Sequence, residues 1–374
     1  MMRDLQIPEG YFQDEEREGF LVPAKMKRCW AAKLQMLTLM GEIFARHSLT
    51  WWINYGTLLG AVRHRGFVPW DDDVDICMPR PDYETALKVL VEEYPTRSRV
   101  ICLGEEHGEG QASPWAVFYN RLHTDTGEDP TEVEISAQYF DWPYICSIDI
   151  FPMDYYPADK TVCARLREEL AGLVPVAYEH EEIRADIHRR FETLASGCRR
   201  EEAGGLMQAY WWCKSEQMHW PLSCFEKTFL LPFEMTELPV PCGYRRLLDA
   251  EYGGWVTPVK GTAMHGYPCY KEQERWLVSH FLAQTVDRAE ELLAAGENER
   301  ARQVLLAGLE KSPDRYEIFY LLAKTYEGES LGHLFVWLTK SLAVCDDGED
   351  RVMIAGELEN IKALLAQAAG KADP

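Results

Sequence analysis

Two aspartates inside an apolar run limit what this chain can fold into more than any other feature of the sequence. Asp73, Val74 and Asp75 lead directly into the apolar residues 76–78. In an extended strand alternate side chains point to the same face, so Asp73 and Asp75 place two carboxylates together while Val74 turns into the core. Two like charges this close are costly unless a cation lies between them, and a hard divalent ion with oxygen ligands is the usual solution. We therefore expect a Mg²⁺ site on a buried strand, with Mn²⁺ as the alternative ion.

A third acid lies in a second apolar strand. Asp149 stands between Ile148 and Ile150, and an acid in a buried run must be paired or bound to a ligand. Upstream, Gly56 and Thr57 form a predicted glycine turn whose backbone and hydroxyl would approach phosphates. A glycine turn, then Asp-x-Asp, then a lone Asp on a neighbouring strand is the pattern of the nucleotidyltransferase-type fold. In that fold three carboxylates hold two metal ions that bind a phosphoryl group.

Four aspartates form the predicted catalytic set. Asp73, Asp75 and Asp149 are the predicted metal ligands. Asp71 is predicted to act either as a supporting group behind the ligands or as a base on the acceptor, and both roles stay open. Taken alone, the run 71–73 suits a solvated acidic turn equally well.

A longer stretch around these residues resembles a known family. Residues 56–78 read GTLLGAVRHRGFVPWDDDVDICM and look like the signature of the LicD family of phosphorylcholine transferases, which includes the fukutin-type enzymes. Residues 121–126, 148–154 and 238–258 are similar to further segments of the family, so the resemblance covers roughly residues 25 to 270. Gly254 departs from the pattern, because the family commonly has Asp after Tyr-Gly at this point.

The resemblance implies Mg²⁺-dependent transfer of a substituted phosphate. The donor would be CDP-linked, typically CDP-choline, and the acceptor a sugar hydroxyl of a cell-surface glycan or its precursor, such as lipopolysaccharide or teichoic acid. Choline, ethanolamine and polyol phosphates all remain candidate groups. Arg63, His64 and Arg121 are candidate phosphate or nucleotide ligands, and His265 falls where the family tends to carry a His that could contact substrate.

A quaternary ammonium group binds best against aromatic faces. The chain has twelve tryptophans, although aromatic side chains more often belong to the core. The candidate walls for such a group are Trp70, Trp142, Trp211 and Trp212.

Three alternatives compete with this function. A true nucleotidyltransferase would use the same carboxylates to pass on a nucleoside monophosphate. A metal-dependent glycosyltransferase shares the Asp-x-Asp feature, but the Gly56-Thr57 turn and the isolated Asp149 argue against it. In the third alternative the helical end of the chain is an interaction module that recruits a partner or self-associates.

The predicted fold class is α+β, with a nucleotidyltransferase-like mixed sheet, flanking helices and a C-terminal all-helical region that resembles tetratricopeptide repeats (TPR). The predicted boundaries are an N-terminal extension at 1–23, a catalytic domain at 24–272 and the helical region at 273–374. Within the catalytic domain we expect a helical insertion at about 158–225, and mostly loop with short elements over the Pro- and Gly-rich residues 230–268. An amphipathic helix is predicted near residues 24–48, with its charged residues on the outer faces.

Composition excludes several classes of partner and location. A net charge of −22 repels polyphosphate, so binding to nucleic acid or bulk anionic membrane is not expected. The chain start lacks the pattern of a signal peptide, and we find no apolar stretch long enough to span a bilayer. The eleven cysteines form no CxxC pair, which suits a reducing compartment. We therefore expect a cytoplasmic enzyme that associates at most with membrane-bound glycan-assembly machinery.

Overall fold

A computed structural model describes residues 5–94, 99–101, 106–107, 111–112, 116–119, 139–140, 142, 146–260, 267–268, 270–311, 315–345 and 347–370. It divides into two compact units, Met1–Tyr270 and Lys271–Pro374. The described strands of the first unit are β1 (Glu15–Arg17), β2 (Phe20–Val22), β3 (Trp52–Ile53), β4 (Asp75–Pro79), β5 (Arg99–Ile101), β6 (Glu106–His107), β7 (Gln111–Ala112), β8 (Ala116–Tyr119), β9 (Ser147–Pro157), β10 (Ala203–Met207), β11 (His219–Pro221), β12 (Thr228–Phe233) and β13 (Thr236–Pro241). Its helices are α1 (Ala24–Arg46), α2 (Tyr55–Arg63), α3 (Arg80–Glu93), α4 (Lys160–Glu179), α5 (Arg184–Ala195), α6 (Ala209–Lys214) and α7 (Tyr244–Tyr252), with short 3₁₀ turns at Glu181–Ile183, Arg200–Glu202 and Leu222–Cys224.

Strand β9 organises the main sheet of this unit. It pairs in parallel with β4 and antiparallel with β8 and β10, and the path β11-β10-β9-β4-β3 continues from one edge to the other. Helices α1 and α3 pack against β9. The sheet is therefore mixed and flanked by helices, which confirms the predicted α+β class.

Helix α1 is a core helix. Fifteen of its 23 residues are buried, including Trp30, whose ring stacks on Phe67 at 4.7 Å. The predicted helix is confirmed, but the prediction that all its charged residues lie on outer faces is wrong. Lys27 and Lys33 are buried with the apolar residues. Their ammonium groups pair with a carboxylate and donate to a backbone carbonyl of the first unit, respectively, which makes this burial possible.

One other expectation needs correction, and a second gains detail. The insertion at 158–225 is not wholly helical, since β10 and β11 add two antiparallel strands to the sheet next to β9. Among the described residues of 230–268, the expected short elements are the strands β12 and β13, which form a hairpin, and the helix α7 that follows them. Prolines are tolerated there because each strand of a two-stranded sheet has one open edge, where a missing N–H breaks no ladder bond.

The described part of the second unit is entirely helical. It comprises α8 (Lys271–Ala294), α9 (Asn298–Lys311), α10 (Tyr316–Lys324), α11 (Leu331–Val344) and α12 (Gly348–Gly370). One buried cluster joins α8, α9 and α10 through Ala289, Leu305 and Ile318, and a second joins α10, α11 and α12. Successive helices thus share their cores, while the resemblance to tetratricopeptide repeats stays a prediction. Within the described residues, no helix is both long and apolar enough for a membrane span.

Candidate active site

The pairing of β4 with β9 brings two of the predicted ligands together. Asp75 is the Cα partner of Asp149 in the parallel ladder, and the Asp149 N–H donates to the Val74 carbonyl at 3.0 Å. Because side chains alternate across a strand, residues opposite each other in register point to the same face. The register therefore places the Asp75 and Asp149 carboxylates side by side at the start of both strands.

Several negative charges lie close together at this point. Burial of the Asp75 carboxyl, followed by the negative charges of Asp149, Asp73 and Asp71, holds its pKa well above the usual range. The Lys33 ammonium acts in the opposite direction. Several carboxylates thus converge around one partly buried group, which is the arrangement that a bound cation relieves.

The acidic run before β4 forms a second cluster. Carboxylate oxygens of Asp71, Asp72 and Asp73 lie within 4.8 Å of one another. Strand β4 begins at Asp75, so Asp73 lies in the segment that leads into the strand rather than inside it. The Asp71 Oδ1 accepts the backbone N–H groups of Asp72 and Asp73 at 2.9 and 3.5 Å, which fixes the shape of this segment.

Helix α2 holds the predicted glycine turn against the acids. Gly56 and Thr57 belong to the first turn of the helix rather than to a loop, which corrects the prediction. A Cβ at Gly56 would overlap the Asp71 carboxylate, so only glycine lets the helix approach this closely. The Thr57 hydroxyl accepts the Asp75 N–H at 2.9 Å and lies 3.5 Å from the Asp73 carbonyl, to which it donates.

The other end of α2 carries the predicted phosphate ligands. Arg63 Nε donates to His64 Nε2 at 2.8 Å, and its Nη1 donates to the Trp255 carbonyl at 3.0 Å. On the opposite side of the ring, His64 Nδ1 lies 3.3 Å from the Glu18 carboxylate. Burial, and then the neighbouring Arg63 charge, lower the pKa of His64 below its usual value, which favours the neutral ring at pH 7.

The aromatic candidates separate clearly by exposure. Trp70, Trp142 and Trp212 are core residues, at most 4% exposed. Trp211 is half-buried, and its ring lies 6.5 Å from that of Tyr55 and 5.0 Å from the Lys214 ammonium. The remaining candidates, Arg121 and His265, lie outside the described residues.

Besides Glu18, two site residues escaped the sequence predictions. Lys33 is 2% exposed at its side chain, donates to the Asp72 carbonyl at 2.5 Å and lies 3.9 Å from an Asp73 oxygen. The sequence feature that could have indicated its burial is the three-residue spacing from Trp30, because this spacing puts the lysine on the apolar face of α1. The second is Glu251 of α7, whose Oε1 accepts from the Asn54 side chain at 2.8 Å; no local pattern marks it.

Comparison with known proteins finds a family and several relatives that resemble this chain. The family "LicD/FKTN/FKRP, nucleotidyltransferase domain" matches residues 48–162, the segment that contains Thr57, Asp75 and Asp149. Residues 48–162 are therefore similar to a LicD-family nucleotidyltransferase domain. The chain is also 25% identical over 244 residues to the lipopolysaccharide cholinephosphotransferase LicD of Haemophilus influenzae, which covers 64% of this chain and 80% of that protein.

Two further relatives are similar over shorter stretches. An uncharacterized protein of Rickettsia typhi, RT0683, is 38% identical over 76 residues, 19% of this chain and 25% of that protein. RP689 of Rickettsia prowazekii is 44% identical over 53 residues, 14% and 20% respectively. The LicD family model matches residues 48–162, so Glu18, Lys33 and Glu251 lie outside the matched segment. The fold nevertheless brings these three residues to the site.

Proposed function

We propose that this protein is a LicD-type transferase that moves phosphocholine from a CDP-linked donor to a sugar hydroxyl of a lipopolysaccharide-type glycan. The observation that carries this proposal is the register of Asp75 on Asp149 beside the acidic run, inside a LicD domain. The similarity to a lipopolysaccharide cholinephosphotransferase over 80% of that protein supports the choice of group and acceptor.

The donor atoms of the site fit a divalent metal. Asp73, Asp75 and Asp149 offer hard carboxylate oxygens, the set that Mg²⁺ prefers. Burial first, and then the neighbouring carboxylates, raise the pKa of Asp75. These three residues would hold Mg²⁺ or Mn²⁺, which when bound neutralises phosphoryl oxygens and makes an acceptor hydroxyl more acidic.

The protein's own residues supply positioning. The Thr57 hydroxyl joins the backbone of Asp73 to that of Asp75, and Lys33 ties the acidic run to α1. Asp71 already uses Oδ1 to accept two backbone N–H groups, which favours a supporting role for it over that of a base. Phosphoryl transfer depends mainly on such positioning and on charge neutralisation.

The proposed transfer breaks one bond at the phosphorus and forms another. The bond between the phosphocholine phosphorus and the bridging oxygen breaks, and CMP leaves with that oxygen. The acceptor oxygen bonds to the phosphorus, and its proton passes to solvent water. Arg63, held at Nε and Nη1, is the proposed cationic partner of the phosphate oxygens.

One aromatic residue favours choline over other substituents. Trp211 remains partly accessible, and a lysine ammonium already lies 5.0 Å from its ring and 4.2 Å from that of Tyr210. These faces therefore attract a cation. A Trp211→Leu variant should raise KM for CDP-choline and leave KM for an uncharged CDP-polyol unchanged.

The deciding experiment mixes the full-length protein with Mg²⁺, CDP-choline and a lipopolysaccharide acceptor. Release of CMP together with choline-labelled acceptor is the expected result. Release of phosphocholine with CMP attached to the acceptor would instead show nucleotidyl transfer, the main alternative. Transfer from sugar nucleotides alone would overturn the proposal.

Substitution of a proposed ligand tests the site itself. Asp149→Asn should abolish turnover while the melting temperature without metal stays equal or rises, because a crowded negative charge is removed. The matched control is Asp287→Asn on the exposed face of α8, which should keep full turnover. Full activity of Asp149→Asn would remove the proposed metal site.

A further inference from the structure

The turn of the β1–β2 hairpin brings an acidic side chain to the LicD domain. Glu18 and Gly19 are its two turn residues, with φ of 51° and 70°, and positive φ at both positions is the geometry of the two-residue type I′ hairpin turn. Glu18 thereby stands at the tip of the hairpin, and its Oε1 lies 3.3 Å from His64 Nδ1. Phe20, directly after the turn, packs edge-on against Trp70.

The hydrogen bonds of His64 determine where its proton lies. A guanidinium has only donor groups, so the 2.8 Å bond from Arg63 Nε requires a lone pair on His64 Nε2. The proton of the neutral ring is then on Nδ1, which faces the Glu18 carboxylate and donates to it. Only 7% of the His64 side chain is exposed, which holds the ring in this orientation.

The same bonds fix the guanidinium plane of Arg63. Its Nε is held by His64 and its Nη1 by the Trp255 carbonyl, whereas Nη2 has no hydrogen bond to the residues that the structure describes. Arg63 ends the helix whose first turn contacts Asp75 through Thr57, and six residues of helix span ~9 Å. A nucleoside diphosphate can bridge such a distance.

We propose that Glu18 and His64 are positioning residues that aim the free edge of Arg63 at a phosphate of a nucleoside diphosphate-linked donor. This inference rests on the proposed function for its ligand class. It replaces the expected role of His64 as a phosphate ligand, because both ring nitrogens are already engaged. It also makes residues 15–22, which the sequence assigned to an extension, part of the site.

The first test measures the proton directly in the full-length protein without substrate. Long-range ¹H–¹⁵N NMR of the imidazoles, with His64 assigned from its absence in His64→Asn, should show the Nδ1–H tautomer. Glu18→Ala should shift the ring toward Nε2–H, which cannot accept from Arg63. An Nε2–H tautomer in the unmodified protein would overturn the proposal whether or not the chain transfers phosphocholine.

The second test measures affinity for CDP with Mg²⁺ by calorimetry, so it is independent of turnover. Glu18→Ala should weaken binding roughly 10-fold, as loss of a group that orients a ligand-binding side chain typically does. Glu16→Gln, an exposed change on the same hairpin, should leave it unchanged. In an Arg63→Ala background, Glu18→Ala should cost nothing further. An equal loss in that background, or no loss in the first, would contradict the assigned role.

Discussion

Glu251 should make the stability of the first unit fall as pH rises. Its Oε2 is buried and has no hydrogen-bond partner within the described structure, and its Oε1 accepts from Asn54. Burial raises the pKa of this carboxyl from 4.5 to about 8, while the bond from Asn54 acts in the opposite direction. The folded state therefore keeps a proton that the unfolded chain has already lost.

The sign and size follow from this difference. The protonated Glu251 carboxyl contributes its full stabilisation of the folded state below pH 4.5, and this contribution is lost as pH rises to about 8. Each pH unit in this window costs about 1.4 kcal/mol, which gives an upper limit of ~5 kcal/mol above pH 8. Glu251→Gln keeps an acceptor for Asn54 and cannot ionise. The unfolding free energy of Glu251→Gln minus that of the unmodified protein should therefore increase by about 1.4 kcal/mol per pH unit in this window.

Urea denaturation at pH 5, 6, 7 and 8 in EDTA provides the measurement. Ten of the twelve tryptophans belong to the first unit, so their fluorescence reports on its unfolding. The other buried carboxyls are common to both proteins and cancel in the difference. Glu237→Gln, an exposed change on β13, is the matched control. Parallel stability curves for the unmodified protein and Glu251→Gln would refute the assigned burial of the charge.

Two further predictions concern packing and ion pairs. Gly60→Ala places a Cβ against a backbone carbonyl of the loop after α2, so it should lower the melting temperature. Gly172→Ala has open space around it in α4 and should raise the melting temperature slightly. Differential scanning fluorimetry of both variants measures the two shifts. Arg80 binds the buried Asp154 through two hydrogen bonds of 2.7 and 2.8 Å, so Arg80→Met should cost ~3–5 kcal/mol of unfolding free energy in urea. Arg165→Met, which removes an exposed pair, should cost under ~1 kcal/mol.

The sequence by itself determined the local chemistry of the site. Asp75 and Asp149 each interrupt an apolar run, and an acid in a buried strand needs a partner wherever that strand is placed. The helical period of α1 and the spacing within residues 56–78 are likewise local, so the LicD resemblance and the α+β class were both predicted from them. The sequence predicted Gly56 and Thr57 near phosphates, whereas the contacts of these residues with the acidic run were seen only in the structure.

Only the tertiary structure decided which of these groups meet. The register of β4 on β9, the burial of Lys33 beside the acidic run, and the contacts of Glu18 and Glu251 join residues separated by tens to hundreds of positions. Such contacts depend on the packing of whole elements, and no periodicity records them. The same limit applies to the short elements expected within 230–268, whose type the sequence left open. Prolines there suppress a local strand signal, while pairing between β12 and β13 restores the strand.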